Sequence, residues 1–178
     1  MATQQIDISQ ASIYVGTYAK YNDGSIFGKW LKLSDYTDRK EFYEACAELH
    51  SDEEDPEYMF QDWEHIPKGL IGESWLSEKI FEVLEALGEL SDNDQEAFLI
   101  WCNNDHKDFS NEDISDLIGD FENDYVAHYD SEEDFARELI EGREDLTDFA
   151  KQYFNYEAYA NELFCGSYWS EDGHVFHN

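Results

Sequence analysis

The sequence predicts an α+β fold with antiparallel sheets in three small modules, and three observations lead to this expectation. Runs of β-branched and aromatic residues flank turn residues near both ends of the chain, which is typical of β-hairpins. Amphipathic helix patterns lie beside these runs. Residues 71–110 show two such helix patterns and no strand signal. The predicted modules are therefore α+β over residues 1–70, helical over 71–110, and α+β over 111–178.

The first module is predicted to hold a three-stranded sheet and one helix. The stretch IYVGTYAKYNDGSIFGKWLKL predicts a hairpin whose turn contains Asn22, Asp23 and Gly24. The stretch DRKEFYEACAELH has a helical pattern, with Asp38 as the N-cap residue and Glu41 three positions later. The stretch EYMFQDWE predicts a third strand on the same sheet. Its aromatics are expected to pack inward and its acids to lie outside.

The middle module is predicted to contain two helices. In SEKIFEVLEALGEL, one helix face carries Ile80, Phe81, Leu84 and Leu87. The second helix, DNDQEAFLIWCNN, follows the cap candidate Ser91.

The last module alternates helices with short strands. A helix over SNEDISDLIGDFENDY precedes a strand over YVAHY, and a capping box of Ser131 and Asp134 opens the next helix. Further helix is expected through DFAKQYFNYEAYANELF. Near the C terminus, Glu171, Asp172 and Gly173 lie between aromatic runs and predict a terminal hairpin.

The charge balance of the chain first raises the question of disorder. The 178 residues include 43 acids and 11 Lys and Arg, which gives a net charge of −32. Acidic disordered chains are poor in aromatics, yet this chain has 12 Tyr, 12 Phe and 5 Trp, and only two prolines. The composition therefore indicates a folded protein whose negative charge repels nucleic acid and anionic membranes. Basic proteins or cations are the expected partners.

Several function classes lack their sequence signals. No nucleotide-binding, nucleophile-elbow or zinc-protease motif occurs, so no enzyme and no cofactor are expected. Among 43 acids, a carboxylate pair carries little information. The stretch DEEDPE lacks the spacing of a calcium loop, and His174 and His177 are interpreted as strand residues, so no metal site is expected. The three cysteines are far apart in sequence, and Cys46 is interpreted as a buried thiol. The sequence shows no secretion signal and no apolar run long enough to span a membrane, so a cytoplasmic protein is expected.

The candidate binding residues are carboxylates in one acidic segment and on three helix faces. The segment DEEDPEYMFQDWE, residues 52–64, combines acids with aromatics and contains no base. On the predicted helices, acids recur at steps of three and four, which places them on one side. The candidates are Asp52, Glu53, Glu54, Asp55, Glu57, Asp62 and Glu64 in the segment, and Glu78, Glu82, Glu85, Glu89, Asp113, Asp116, Asp120, Asp124, Asp134, Glu138, Glu141 and Asp145 on the helices.

Solvation alone would explain one such stripe of acids. Three stripes are harder to explain in this way, because like charges at i, i+4 destabilise a helix by about 0.2–0.5 kcal/mol per pair. The net charge equals that on roughly 54 Å of DNA duplex. The charge density therefore resembles that of DNA.

Three stretches together resemble a known family: IYVGTYAKYNDGSIFGKWLKLSDY, EFYEACAELHSDEEDPEYMFQDWEHIP and YDSEEDFARELIE. They are similar to the ArdA antirestriction proteins, which conjugative plasmids and transposons carry. The resemblance extends from about residue 12 to the C terminus and leaves residues 1–11 as an extension. It implies an elongated homodimer of three modules, whose carboxylates imitate the phosphates of bent B-form DNA. The implied target is the DNA-binding groove of Type I restriction-modification enzymes, formed by modification and specificity subunits.

The residues themselves indicate a folded acidic protein that binds a basic surface, and Type I specificity comes from the resemblance. Binding there would block restriction, while an effect on modification is left open. One rival is an acidic binding protein or chaperone for another basic DNA-binding protein. The other rival is an enzyme that uses a carboxylate pair. In the first interpretation, Tyr58, Phe60 and Trp63 would anchor the strand that presents the acids of residues 52–64.

Overall fold

The computed structural model describes residues 6–104, 107–109 and 111–178. The chain divides into two compact units, Met1–Leu117 and Ile118–Asn178. The described elements are α-helices and small antiparallel sheets, which confirms the predicted α+β class. The finer division into three modules remains a prediction. Within the described residues, the helices are too short or too polar to span a membrane.

The first unit opens with a three-stranded sheet. Strand β1 (Ser12–Thr17) lies between β2 (Lys29–Lys32) and β3 (Tyr58–Glu64), and both neighbours are antiparallel to it. The third strand is thus confirmed, but the tight hairpin turn is not. A short helix, α1 (Tyr18–Asn22), begins directly after β1, because the Thr17 side chain accepts a hydrogen bond from the Lys20 amide and caps it.

Helix α2 (Arg39–Leu49) follows the predicted capping pattern. Asp38 accepts a hydrogen bond from the Glu41 amide at 2.8 Å, and the Glu41 carboxylate accepts bonds from the Thr37 amide and hydroxyl at 2.6 and 2.8 Å. The buried face of α2 includes Phe42, whose ring lies 6.2 Å from that of Phe60 on β3. Cys46 is fully buried as expected, and this burial raises the pKa of its thiol to about 12.

A two-stranded hairpin follows in a region without a strand signal. Strands β4 (Ile71–Gly72) and β5 (Trp75–Leu76) are antiparallel. The expectation of no strand in residues 71–110 is therefore wrong, because two-residue strands are too short to show a period. The hairpin is connected to the first sheet through the Phe60 amide, which donates to the Glu73 carbonyl at 2.7 Å.

Helices α3 (Ile80–Gly88) and α4 (Asp92–Asn104) follow the predicted pattern. Ile80, Leu84 and Leu87 are buried together with Val83, whereas Phe81 is half-buried. At the start of α4, the Ser91 hydroxyl donates to the Asp94 carboxylate at 2.7 Å and accepts from the Asp94 amide at 3.2 Å. Ser91 is thus confirmed as the cap.

The boundary between the two units falls within α5 (Ile114–Asp124). The predicted start of this helix included Ser110, which lies outside the described residues. The second unit continues with β6 (Tyr125–His128) and α6 (Glu132–Glu141). As predicted, the Ser131 hydroxyl caps α6, since it accepts a hydrogen bond from the Asp134 amide at 3.1 Å.

The predicted continuous helix near residues 148–164 is interrupted. Helix α7 (Asp148–Gln152) ends before α8 (Tyr156–Phe164), because Asn155 accepts a hydrogen bond from the Ala158 amide and starts a new helix. The terminal hairpin, β7 (Tyr168–Glu171) and β8 (His174–His177), is confirmed.

The second sheet has the strand order β6-β8-β7. Asp172 and Gly173 have φ angles of 50° and 85°, as a two-residue hairpin turn requires. The ring of Trp169 stacks on Phe176 at 4.1 Å, and Phe176 is fully buried. His174 is a buried strand residue, as interpreted, and its Nδ1 lies 3.0 Å from the Tyr125 hydroxyl.

The backbone next to β2 approaches β1 so closely at Gly28 that a larger residue there is expected to destabilise the fold. A Cβ atom at Gly28 would lie 2.5 Å from the Val15 carbonyl oxygen. We expect Gly28→Ala to lower the free energy of unfolding by about 1–3 kcal/mol, measured by urea denaturation. The control is Gly119→Ala, in an open position on α5, which should raise it by about 0.5–1 kcal/mol. Wild-type stability of Gly28→Ala would contradict the close approach.

Candidate partner-binding surface

Two acids of the 52–64 segment are bound within the protein by a distant lysine. The Lys20 ammonium on α1 lies 2.7 Å from the Asp52 carboxylate and 3.2 Å from that of Glu53. The Glu53 carboxylate also accepts a hydrogen bond from the buried Thr17 hydroxyl at 2.7 Å. Asp52 and Glu53 therefore hold the acidic segment against the end of β1.

A buried histidine completes this cluster. The Lys20 ammonium lies 3.0 Å from Nδ1 of His50, and Nε2 of His50 lies 3.2 Å from the Val15 carbonyl oxygen. An ammonium group can only donate, so Nδ1 accepts and Nε2 carries the proton that bonds Val15. Both contacts therefore favour the tautomer of His50 that carries its proton on Nε2.

The same cluster has the ligand types of a cation site. Ligand atoms of His50, Asp52 and Glu53 lie within 4.8 Å of one another. The Lys20 ammonium contacts all three side chains. It thus takes the position that a metal ion would need. It also balances the negative charge of Asp52 and Glu53, which have no base in their own segment.

The ionisation of the cluster follows from these contacts. Hydrogen bonding to Lys20 lowers the pKa of Asp52, and hydrogen bonding to Thr17, with a further contribution from Lys20, lowers the pKa of Glu53. Partial burial of Lys20 opposes its charged form, but the hydrogen bonds to the two carboxylates outweigh this and raise the lysine pKa. All three groups are therefore charged at neutral pH.

The other acids of the segment point to solvent. Glu54, Asp55, Glu57, Asp62 and Glu64 are exposed, and within the described residues no base lies within ion-pair distance of them. These five carboxylates remain available to a partner.

The three aromatics expected to anchor the segment are buried to different degrees. Phe60 is 1% exposed and is the anchor, whereas Tyr58 is half-buried and Trp63 is 37% exposed. The register between β1 and β3 shifts between Tyr14 and Val15, which leaves Gln61 as an extra residue in β3. The expectation of full inward packing is therefore wrong for Trp63.

The first helical stripe, on α3, is exposed throughout. Glu82 and Glu85 lie on the helix, while Glu78 precedes it and Glu89 is its C-cap residue. Glu78 lies 3.4 Å from the Arg39 guanidinium and is still 89% exposed. Glu82 and Glu85 also line a groove of about 810 Å³ in the first unit.

The second stripe, on α5, combines a capping acid with exposed acids. Asp113 precedes the helix and accepts hydrogen bonds from the Ser115 and Asp116 amides at 2.9 and 3.3 Å, so it acts as a cap. Asp116 and Asp120 are exposed, whereas Asp124 is half-buried.

The third stripe, on α6, is shorter than predicted. Asp134, Glu138 and Glu141 are exposed on this helix. Asp145 is not on it, because the helix ends at its C-cap residue Gly142. The Asp145 carboxylate accepts two hydrogen bonds from Arg143 at 2.9 and 2.7 Å, which lower its pKa.

Several bases contact groups other than the candidate acids. Lys79 donates to the Glu112 carbonyl at 2.9 Å, and Lys151 donates to the Glu141 carbonyl at 2.9 Å. The Arg137 guanidinium lies 4.1 Å from the Tyr156 ring centre. These bases thus stabilise the fold, and among the described residues they form no ion pair with candidate acids such as Asp116, Asp120 and Glu138. The sequence does not indicate the contacts of Lys20 and Lys79, because their partners are distant along the chain.

A comparison of the chain with protein families identifies the family to which it belongs. The family model for antirestriction protein (ArdA) matches residues 13–176. The chain belongs to the ArdA antirestriction protein family. No curated protein sequence matches the chain significantly. ArdA membership indicates an antirestriction protein directed at restriction-modification enzymes, and an inhibitor rather than a member of a known enzyme family.

The Lys20 cluster is expected to stabilise the fold in a pH-dependent manner. Lys20→Met removes the ammonium and leaves two neighbouring carboxylates unmatched, so we expect a loss of about 1–3 kcal/mol in the free energy of unfolding at pH 7. Because the pKa values of Asp52 and Glu53 are lowered in the folded protein, the two ionised carboxylates stabilise it at pH values above their ordinary pKa values, 3.8 and 4.5. This stabilisation is lost as the pH falls through the lowered pKa values. The difference between wild type and variant should therefore shrink below about pH 4.5.

Urea denaturation across a pH series measures this difference. The matched control is Lys40→Met, which makes the same charge change at an exposed lysine 3.5 Å from Glu44. That variant should resemble wild type, because exposed ion pairs contribute little. If both variants lost the same stability, net charge and not the cluster would be responsible.

Proposed function

We propose that this ArdA protein acts as a mimic of bent B-form DNA in the cytoplasm. Its exposed carboxylates take the place of phosphates and occupy the DNA-binding groove of a Type I restriction-modification enzyme, between its modification and specificity subunits. Binding there excludes DNA and blocks restriction. Because the same groove holds DNA for methylation, modification is inhibited as well.

The observation that carries this proposal is a set of exposed candidate acids that form no ion pair in the described part of the chain. Lys79 and Lys151 donate to backbone carbonyls, while acids such as Asp116 and Asp120 are exposed without a salt bridge in the described part of the chain. A surface designed only for solubility would gain from interleaved bases. A surface that replaces the phosphate backbone must keep its negative charge unmatched.

Several of the exposed acids lie on capped helices, which hold them in fixed positions. Asp116 and Asp120 project from a helix capped by Asp113, and Asp134 takes part in the capping box of α6. A rigid backbone lowers the conformational entropy that is lost when the acids bind. Such a surface should bind a basic groove in competition with DNA, and the affinity should decrease as salt concentration rises.

Phosphate mimicry predicts that the function is spread over many carboxylates. Asp116→Asn alone should weaken competition with a DNA duplex for a Type I methyltransferase by at most about fivefold, because one exposed ion pair contributes little. Asp113→Asn, Asp116→Asn and Asp120→Asn together should weaken it by about tenfold or more. Asn at position 113 also caps helices, so α5 should be retained. Thermal melts check that each variant is folded.

A second triple variant serves as the matched control. Glu44→Gln, Glu133→Gln and Asp145→Asn remove the same total charge from acids that already have basic partners. This variant should compete more strongly than the α5 triple. Equal losses would show that net charge alone governs binding. Complete loss with Asp116→Asn in a folded protein would contradict dispersed mimicry and indicate a specific site.

We also propose that the protein is a homodimer that associates through an aromatic pair, Phe149 of α7 and the C-cap residue of that helix, Tyr153. Phe149 and Tyr153 are 72% and 70% exposed, and their ring centres lie 4.9 Å apart. Large exposed apolar groups in contact mark association surfaces. Acidic helix faces, in contrast, would repel one another in a symmetric interface.

The dimer predicts a defined sedimentation behaviour. At micromolar concentration, wild type should sediment at twice the chain mass of 20.9 kDa. Phe149→Ser with Tyr153→Ser should sediment as a single chain, because the apolar contact is lost. The control is Tyr21→Ser with Ile26→Ser, two residues that are 51% and 75% exposed in the first unit, and it should remain dimeric. A monomeric wild type, or a monomeric control with a dimeric α7 variant, would refute this interface.

A further inference from the structure

The first unit contains a groove that charge alone does not explain. It has a volume of about 810 Å³, within the range of about 300–1,000 Å³ that is typical of ligand pockets. Its wall includes the apolar side chains of Ile8, Leu33 and Leu84, together with the half-buried Phe81. A solvated acidic surface would not need such a recess.

Carboxylates border this apolar wall. Glu82, Glu85 and Asp92 line the groove, and no Lys or Arg is among the residues that line it. These three acids are exposed and form no ion pair within the described residues. Asp7 also lines the groove, but its carboxylate already accepts hydrogen bonds from the Ser9 amide and hydroxyl at 3.0 and 2.6 Å.

The two properties together define the ligand chemistry. A purely apolar ligand would desolvate Glu82 and Glu85 without giving them a counter-charge, which is unfavourable. A purely ionic ligand would leave the half-buried ring of Phe81 in contact with water. The groove is therefore complementary to an apolar side chain that has basic groups beside it.

We propose that the groove binds one aromatic or aliphatic side chain of the target protein, inserted between neighbouring Lys or Arg residues of the same segment. The identification of that target as a restriction-modification enzyme rests on the proposed function. The inserted side chain contacts Phe81 and Leu84, while the adjacent bases pair with Glu82 and Glu85. The apolar contact adds affinity that salt does not screen, and it favours targets with this segment over other basic proteins.

One glycine allows the groove to be blocked without any change in charge. Gly88, the last residue of α3, lines the groove, and a Cβ atom there would have no heavy atom within 4 Å. Gly88→Phe should therefore add a bulky ring at the lining of the groove without a clash at Cβ, while all carboxylates are retained. Gly166→Phe is the matched control, because Gly166 also has open space around its Cβ position and does not line the groove.

The probes are two short peptides, one with Trp between two pairs of lysines and one with Ala in place of that Trp. By isothermal titration calorimetry on the full chain, wild type and Gly166→Phe should bind the Trp peptide about tenfold more tightly than the Ala peptide. In Gly88→Phe this preference should disappear, while binding of the Ala peptide stays unchanged. Glu82→Gln with Glu85→Gln should weaken the binding of both peptides, more at low salt than at high salt.

Equal binding of the two peptides by wild type would overturn the inference, as would a Trp preference that persists in folded Gly88→Phe. Competition with DNA for a Type I methyltransferase is measured separately on wild type. If wild type competes but shows no Trp preference, the groove proposal fails and phosphate mimicry stands. If it shows the preference but does not compete, the groove binds such segments and the proposed enzyme target is wrong.

Discussion

Electrostatic repulsion among 43 acids with only 11 bases is the constraint on which the rest of the structure depends. The structure meets it in two ways. Aromatic and aliphatic side chains such as Phe42, Phe60 and Phe135 are almost fully buried and supply the apolar stabilisation. One base, Lys20, contacts three side chains at once, those of Asp52, Glu53 and His50. Acids such as Asp116 and Asp120 can then stay exposed without an ion pair in the part of the chain that the structure describes.

The parts of the fold that the sequence predicted are those determined by local chemistry. The caps at Asp38, Ser91 and Ser131 depend on residues three positions apart, so the starts of α2, α4 and α6 were visible in the sequence. The connection from β1 to β2 was predicted wrongly, because the Thr17 cap competes with the turn signal at Gly24. The β4–β5 hairpin was missed because strands of two residues carry no periodicity.

For the candidate surface, the sequence predicts which acids are exposed but not which of them have partners within the protein. Helical spacing correctly indicated the exposure of Glu82, Glu85, Asp116, Asp120 and Glu138, because acids opposite a buried face must point outward. It could not indicate which acids have internal partners. Asp52 pairs with a lysine 32 positions away, and Asp145 pairs with Arg143 only because α6 ends at its Gly142 cap. The groove was also invisible, since residues from distant segments form its wall.

Charge and apolar contact make different contributions to recognition by such a protein. A line of carboxylates attracts any basic groove, speeds association and weakens with salt, so by itself it discriminates poorly among DNA-binding proteins. Apolar contact is short in range and depends on shape, which allows it to distinguish targets of similar charge. On α3 the two coincide, because Glu82 and Glu85 border the wall that contains Leu84. The proposed function and the proposed groove therefore address different parts of recognition, the first attraction to a basic surface and the second the choice among basic surfaces.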